Sequence, residues 1–174
     1  MSTSGRSVRR PVIAGSWYPG TERSLARTVD DYLQAVEQQP VPGVVLGLVA
    51  PHAGYAYSGQ TAAYAYRQLA GQEVETIVLL GPSHRAWVGD YATSAEHAYA
   101  TPLGEVALDQ EFIEALAERV PLKRIRGDAE HALEIQLPFM QRELGTFRLV
   151  PILMSADEPE VARELAAHLA EIAR

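Results

Sequence analysis

The chain has 174 residues, of which 47% are hydrophobic and 21% are charged, proportions that are ordinary for a soluble globular protein. A net charge of −7 argues against a nucleic-acid surface, and the lack of Cys excludes disulfides, thiolate metal sites and a Cys nucleophile. No apolar stretch approaches the roughly 18 residues of a membrane helix, and no signal peptide is evident at the N-terminus. We therefore expect one cytoplasmic domain over residues 1–174, with neither nucleic acid nor a membrane as partner.

The basic residues form two short clusters. One lies near the start of the chain (Arg6, Arg9 and Arg10), and the other lies in the second half (Lys123, Arg124 and Arg126). We expect both clusters to be solvated rather than to form a binding surface.

In the first half of the chain, the hydrophobic pattern alternates between helix and strand periods. A Thr N-cap followed by an apolar stripe predicts a helix over residues 21–38, ended by Pro40. The continuous apolar run 44–50 is typical of a strand that is covered on both faces. A helix over 58–70 and a second buried strand over 76–80 follow.

The second half continues the alternation. Strands are predicted over 91–94, 105–108, 122–125 and 147–153, and helices over 109–119, 130–144 (interrupted or begun by Pro138) and 158–173. Strands that alternate with helices indicate an α/β fold with three layers, in which a mainly parallel sheet has helices on both faces.

Two histidines follow the two strongest early strands. His52 comes one Pro after the run 44–50, and His84 comes after Leu80-Gly-Pro-Ser. In a parallel sheet both strands end at the edge where ligands bind, so we expect the two rings to converge there. A lone His more often caps a helix or bonds within a loop, but two in matching Gly- and Pro-containing turns favour a metal or substrate site.

A third histidine, His131, stands at the start of a predicted helix in GDAEHALEIQLPF. Asp128 or Glu130, placed in the same pocket, can accept a hydrogen bond from one ring nitrogen of His131. Such a bond fixes the tautomer of the ring and raises its basicity. Such a His is suited to general acid–base chemistry. Glu134 can instead form a salt bridge across the helix. His97 and His168 are expected to be structural.

Aromatic residues lie near these turns. Trp17 and Tyr18 either wall the pocket or anchor the N-terminal arm, and Tyr55 either binds an oxygen species in the pocket or packs. Ser83 lies outside any Gly-x-Ser-x-Gly elbow, so it is a pocket residue rather than the nucleophile of an α/β hydrolase.

Six motifs occur in a recognisable order: AGSWYP at 14–19, APHAGYAYSG at 50–59, LGPSHR at 80–85, TPLG at 101–104, EHALEIQLPF at 130–139 and VPILM at 150–154. In this order they resemble the Memo family, also called the AmmeMemoRadiSam system protein B family. The fold of that family is similar to class III extradiol dioxygenases, the non-haem iron enzymes that open catechol rings.

The resemblance implies that His52 and His84 are metal ligands, for iron or copper, and that His131 is an acid–base residue in the same pocket. It also implies AMMECR1-like and radical-SAM proteins as partners, and it brings no agreed reaction. Family members continue well beyond the position of Arg174 and carry a further metal ligand there. We therefore expect an incomplete metal site, and an open sheet edge that an oligomer or a second chain covers.

Our main hypothesis is a module that binds a metal, a small ligand or a peptide in a dioxygenase-type pocket. The alternatives are an active non-haem metal oxidoreductase and an inactive gene fragment.

Overall fold

The computed structural model describes residues 6–37 and 41–173, and it confirms an α/β architecture in which sheets are flanked by helices. The helices of the described part are α1 (Glu22–Gln34), α2 (Tyr55–Tyr66), α3 (Gln110–Ala117), α4 (Leu137–Leu144) and α5 (Pro159–Ile172). The strands are β1 (Val8–Arg9), β2 (Thr76–Pro82), β3 (Tyr91–Ser94), β4 (Ala98–Thr101), β5 (Gly104–Ala107), β6 (Leu122–Ile125) and β7 (Arg148–Met154).

The strands form two sheets of mixed direction. The larger sheet has the order β2-β7-β3-β6, with β2 parallel to β7, β3 antiparallel to β7, and β6 parallel to β3. The smaller sheet has the order β1-β4-β5, with β4 and β5 antiparallel. Residues 102–103 connect β4 to β5, and two residues are too few for a parallel crossover. The parallel character is therefore weaker than the alternating pattern predicted.

Helix α1 shows how the local sequence sets the helices. The side chain of Thr21 accepts a hydrogen bond from the backbone N–H of Ser24, and Leu25, Val29 and Leu33 are buried along one stripe. This stripe packs α1 against α2 and α4. The helix predicted from residue 21 is confirmed as far as Gln34, but the described residues 35–37 are not helical, so the helix ends earlier than predicted. Residue 38 itself lies outside the described residues.

The helix predicted over 130–144 is divided in the structure. Residues 134–136 form a short 3₁₀ turn, and α4 begins at Leu137 with Pro138 in its first turn. Proline is tolerated there because the first N–H groups of a helix lack intrahelical partners. The preceding residues are left free to adopt the irregular conformation that presents His131.

The segment 44–50 is not a strand, and that prediction was wrong. It forms no strand ladder within the described residues, and Val44, Leu46 and Val49 are 82%, 96% and 96% exposed. Apolarity predicted burial, but a strand also requires a neighbouring chain segment to pair its N–H and C=O groups, and none in the described ranges does so.

The two edges of the larger sheet differ in charge. Strand β6 exposes Lys123 and Arg124, and Arg126 directly beyond it is also exposed, as expected for solvated side chains. Strand β2, at the other edge, carries no charged residue, and Leu80 is 48% exposed. Lysine and arginine on an edge strand oppose pairing with another chain, so β2 is the less protected edge.

Arg9 was expected to be solvated, and this prediction was wrong. It lies on β1 and is 2% exposed, with Nε 2.9 Å from Asp128 Oδ2 and Nη1 2.7 Å from Glu134 Oε2. Its Nη2 also donates to the carbonyl of Glu130. Arg9 is buried because these acceptors replace water around its charge. The N-terminal arm is thereby attached to the segment that carries His131.

Within the described ranges, the helices are too short or too polar to cross a bilayer.

Candidate metal centre

Three irregular segments bring three imidazoles together. His52 lies between the apolar segment 44–50 and α2, His84 follows β2, and His131 precedes α4. The ring centroids are 5.2 Å apart for His52 and His84, 5.8 Å for His52 and His131, and 4.8 Å for His84 and His131. We expected the first two rings to meet as ligands and the third to lie in the same pocket, and all three rings lie in one cluster.

The cluster can hold a metal ion. One nitrogen from each ring lies within 4.8 Å of the others. Metal–nitrogen bonds of about 2.0–2.1 Å place two ligands of one ion at most about 4.2 Å apart. A small side-chain rotation would therefore bring the three nitrogens within bonding distance of one ion. Imidazole nitrogen suits zinc, copper, iron and nickel, and the donors fit a transition metal without selecting one.

Glu130 connects two of the three histidines. Its Oε2 accepts from the backbone N–H of His84 at 2.6 Å, and its Oε1 lies 3.1 Å from Nδ1 of the same residue. Oε1 also accepts from the backbone N–H groups of His131 at 2.8 Å and Ala132 at 3.0 Å. From the sequence, Glu130 was linked only to His131, because no local signal indicates a contact with His84, which is 46 positions away.

These contacts keep Glu130 ionised. Burial alone would raise its pKa, but hydrogen bonds from the backbone of His84, Ala132 and His131 and from the ring of His84 outweigh it. The pKa of Glu130 is lowered to about 2. The centre therefore contains a permanent negative charge beside two of its imidazoles.

His131 is the buried member of the cluster. Its Nδ1 lies 3.0 Å from Glu130 Oε1 but out of line for a hydrogen bond, and its ring packs against Trp17 with centroids 4.4 Å apart. Burial is the main cause that lowers the pKa of His131, Glu130 opposes it, and the electrostatic effect of His84, His52 and Arg85 lowers the pKa further. The expected rise in basicity is thus not found. A neutral ring keeps a lone pair for a metal or a proton.

A groove of about 610 Å³ opens beside the cluster. Apolar and aromatic side chains form most of its wall together with two of the imidazoles: Trp17, Pro51, His52, Ala56, Tyr57 and His131. Tyr57 is 90% exposed at the rim. The histidine cluster and an apolar groove are therefore adjacent parts of one site.

Two of the aromatic candidates lie behind the site rather than in its wall. The hydroxyl of Tyr18 donates to Glu134 Oε1 at 2.7 Å, and the hydroxyl of Tyr55 donates to the carbonyl of Ile135 at 3.0 Å. Both rings are buried. They anchor the N-terminal arm and α2 to residues 134–135, directly after the His131 segment.

Asp128 and Ser83 also have local partners. Asp128 accepts from Arg9 and from the Tyr99 hydroxyl rather than from an imidazole. Ser83 donates to the carbonyl of Ala86 at 2.7 Å, which shapes the turn carrying His84. Glu134 accepts from Arg9 instead of bridging across its own helix.

The remaining histidines lie outside the cluster. The Nδ1 atom of His97 is 3.0 Å from the hydroxyl of Ser7 and 3.2 Å from its backbone N–H, which ties the arm to the loop before β4. His168 lies on α5, with Nδ1 3.7 Å from Glu171.

The chain was compared with known proteins. The sequence model of the Memo-like protein family matches residues 9–174. A MEMO1 family protein of Nitrosopumilus maritimus is 32% identical over 96% of this chain and 64% of its own length. One from Archaeoglobus fulgidus is 36% identical over 93% of the chain and 60% of its own length. The protein memo-1 homolog of Caenorhabditis elegans is 36% identical over 87% of this chain and 44% of its own length.

The chain spans 60 to 64% of the length of these two archaeal relatives. The matched range includes every member of the histidine cluster, Glu130 and Trp17. The chain therefore belongs to the Memo-like protein family.

Proposed function

We propose that this chain is a metal-binding module in which His52, His84 and His131 hold one iron or copper ion beside the apolar groove. The observation that carries the proposal is that three imidazoles from three separate segments each offer a nitrogen within 4.8 Å of the others. Packing alone does not require three imidazoles to meet at one place.

The surroundings of the rings support a metal centre. In metal-binding histidines, the ring nitrogen that does not bind the metal usually donates its N–H to a carboxylate or carbonyl group, as His84 does to Glu130. The lowered pKa of His131 keeps that ring neutral, which is the form that binds a metal. A bound ion with three nitrogen ligands supplies Lewis acidity and an open coordination position.

The groove indicates what the module binds in addition to the ion. Its wall is largely apolar, and Trp17 and Tyr57 contribute aromatic surface to it. Pockets that are apolar with a few convergent polar groups are typical of small-molecule sites. A small ligand, or an apolar side chain of a peptide, fits this groove with a polar group directed toward the imidazoles.

Anaerobic calorimetry with Fe(II), and separate titration with Cu(II), tests the proposal. We expect one ion per chain in the unaltered protein, and loss of that binding in His52→Ala, His84→Ala and His131→Ala. His168→Ala is the matched control, because it removes an imidazole outside the cluster and leaves binding intact. Absence of binding of either ion, or full affinity in His52→Ala, would contradict the proposal.

An active oxidoreductase is the second candidate, and one observation favours it. His131 is neutral and buried, it stacks on His84 and packs against Trp17, and it lines the groove, so it is placed to exchange a proton with a bound ligand. Oxygen uptake by the Fe(II)-loaded chain with catechol as the probe tests this candidate. Oxygen uptake that is lost in His131→Ala would support an oxidoreductase. If the chain binds Fe(II) but takes up no oxygen, the oxidoreductase is excluded and the metal-binding module stands.

A further inference from the structure

We infer that Glu130 is a positioning residue that fixes the ring orientation and tautomer of His84 and favours the same tautomer in His131, so that each ring keeps Nε2 as its lone-pair donor. This inference rests on the proposed function, and it adds a residue that binds no metal itself but prepares two ligands.

The contacts to His84 determine its tautomer. An ionised carboxylate is only an acceptor, so the nitrogen that lies 3.1 Å from Glu130 Oε1 must carry the proton. That nitrogen is Nδ1, which leaves the lone pair on Nε2. The backbone N–H of His84 donates to the other oxygen of the same carboxylate at 2.6 Å. Glu130 therefore holds both the main chain and the ring of His84.

The same oxygen faces His131. Its Nδ1 lies 3.0 Å from Glu130 Oε1, and although the two atoms are out of line for a hydrogen bond, an unprotonated nitrogen that close to an anionic oxygen is repelled. The proton is therefore favoured on Nδ1 of this ring as well. The backbone N–H groups of His131 and Ala132 fix the position of the oxygen, and the Glu130 side chain is 3% exposed. One buried carboxylate thus serves two rings.

The other two carboxylates of this segment have different partners. Asp128 accepts from the guanidinium of Arg9, and Glu134 accepts from Arg9, from the hydroxyl of Tyr18 and from backbone N–H groups of the N-terminal arm. Both therefore organise the arm, whereas Glu130 is directed to the metal-binding rings. This division distinguishes Glu130, whose side chain lies against the imidazoles, from the two carboxylates that organise the arm.

The experiment compares Glu130→Gln and Glu130→Asp with the unaltered chain. Nitrogen-15 NMR of the imidazoles in the metal-free protein reports the tautomer of each ring, and anaerobic calorimetry reports Fe(II) affinity. We expect Glu130→Gln to lower the Nδ1–H population of His84 and His131 and to weaken Fe(II) binding by about 10- to 100-fold, as for other residues that orient metal ligands. Glu130→Asp keeps the charge, and we expect it to recover part of both signals.

Glu96→Gln is the matched control. Glu96 is also a buried carboxylate, 5% exposed, but it accepts from Ser94 and from the backbone of Gly127 instead of from an imidazole. It should lose stability without changing the tautomers of His84 and His131 or the Fe(II) affinity. If Glu130→Gln does not fold, the same comparison is made between Glu130→Asp and Glu96→Gln.

Unchanged tautomers of His84 and His131 in the folded Glu130 variants, or a shift of the same size in Glu96→Gln, would overturn the inference. Failure of the proposed function gives a different result, because the unaltered chain then binds no Fe(II) while the tautomers still respond to Glu130. Fe(II) affinity that is lost equally in Glu130→Gln and Glu96→Gln would reduce the role of Glu130 to stability.

Discussion

Arg9 and Glu134 form an ion pair in which both side chains are excluded from solvent, with 2.7 Å between Nη1 and Oε2 and exposures of 1% and 0%. They are 125 positions apart in the chain. The guanidinium also lies over the ring of Tyr99, 4.8 Å from its centroid. The pair therefore joins the N-terminal arm, the smaller sheet and the segment that presents His131.

Removal of Glu134 should strongly destabilise the fold. Glu134→Ala leaves the guanidinium of Arg9 buried with one carboxylate fewer, and it also removes the acceptor of the Tyr18 hydroxyl. Loss of one partner of a buried pair typically costs about 3–5 kcal/mol. Urea unfolding of the purified chain measures the change in free energy, and the cooperative transition it requires also tests whether the chain folds independently.

Asp31→Ala serves as the control for this loss. Arg27 and Asp31 form an exposed pair on α1, 3.8 Å apart, with side-chain exposures of 85% and 67%. Solvent screens such pairs, so the expected change is at most about 0.5 kcal/mol. Equal losses in the two variants would show that the buried pair contributes nothing special.

Stability should fall in acid through Glu130. Its pKa is about 2 in the folded chain and near 4.5 when unfolded, so it stabilises the fold fully above pH 4.5. That contribution, up to about 3 kcal/mol, is lost as the pH falls from 4.5 toward 2. Urea unfolding at pH 6 and pH 3 measures it. In Glu130→Gln this part of the pH dependence should disappear, and an unchanged dependence would refute the assignment.

Gly59 on α2 is expected to tolerate no side chain. A Cβ there would lie 2.6 Å from Cε2 and 2.9 Å from Cζ of Tyr32, a ring whose hydroxyl donates to the carbonyl of Tyr55. We expect Gly59→Ala to lose about 1–3 kcal/mol by overpacking, despite the better helix propensity of Ala. Gly47→Ala, where a Cβ meets nothing within 4 Å, should be nearly neutral in the same unfolding measurement.

Metal binding should raise the unfolding temperature. An ion that binds only the folded chain adds about 2.7 kcal/mol of stability at 100 times its dissociation constant. Thermal unfolding with Fe(II) under anaerobic conditions should therefore shift upward, and a chelator should reverse the shift. His84→Ala should show no shift, whereas His168→Ala should respond as the unaltered chain does. A shift of equal size in His84→Ala would place the ion elsewhere.

Much of the fold follows from local sequence signals. The apolar run 76–80 predicted β2, and the Thr21 cap with its apolar stripe predicted α1. The prediction for 44–50 failed because apolar residues indicate a preference for burial, whereas pairing depends on segments remote in sequence. Strand direction was also beyond the pattern, since a continuous apolar run indicates burial on both faces but does not determine which strands become neighbours.

The candidate site could likewise be predicted only as far as local sequence signals reach. The Pro- and Gly-containing turns predicted that His52 and His84 would approach each other, because both follow strand-like runs. The contacts of Glu130 with His84 and of Arg9 with Glu134 join residues far apart in the chain, and no local motif encodes them. Arg9 illustrates the difficulty, because a basic cluster near a terminus is ordinarily solvated, and only its buried acceptors keep this guanidinium inside.

The uncharged edge of β2 has a consequence for access to the imidazoles. Strand β2 runs directly into Pro82 and the turn that carries His84, whose side chain is 41% exposed. Any segment that extends the sheet in parallel along β2 ends with its carboxyl terminus beside that turn. Growth of the sheet along β2 would therefore place a further chain segment next to the exposed ring of His84.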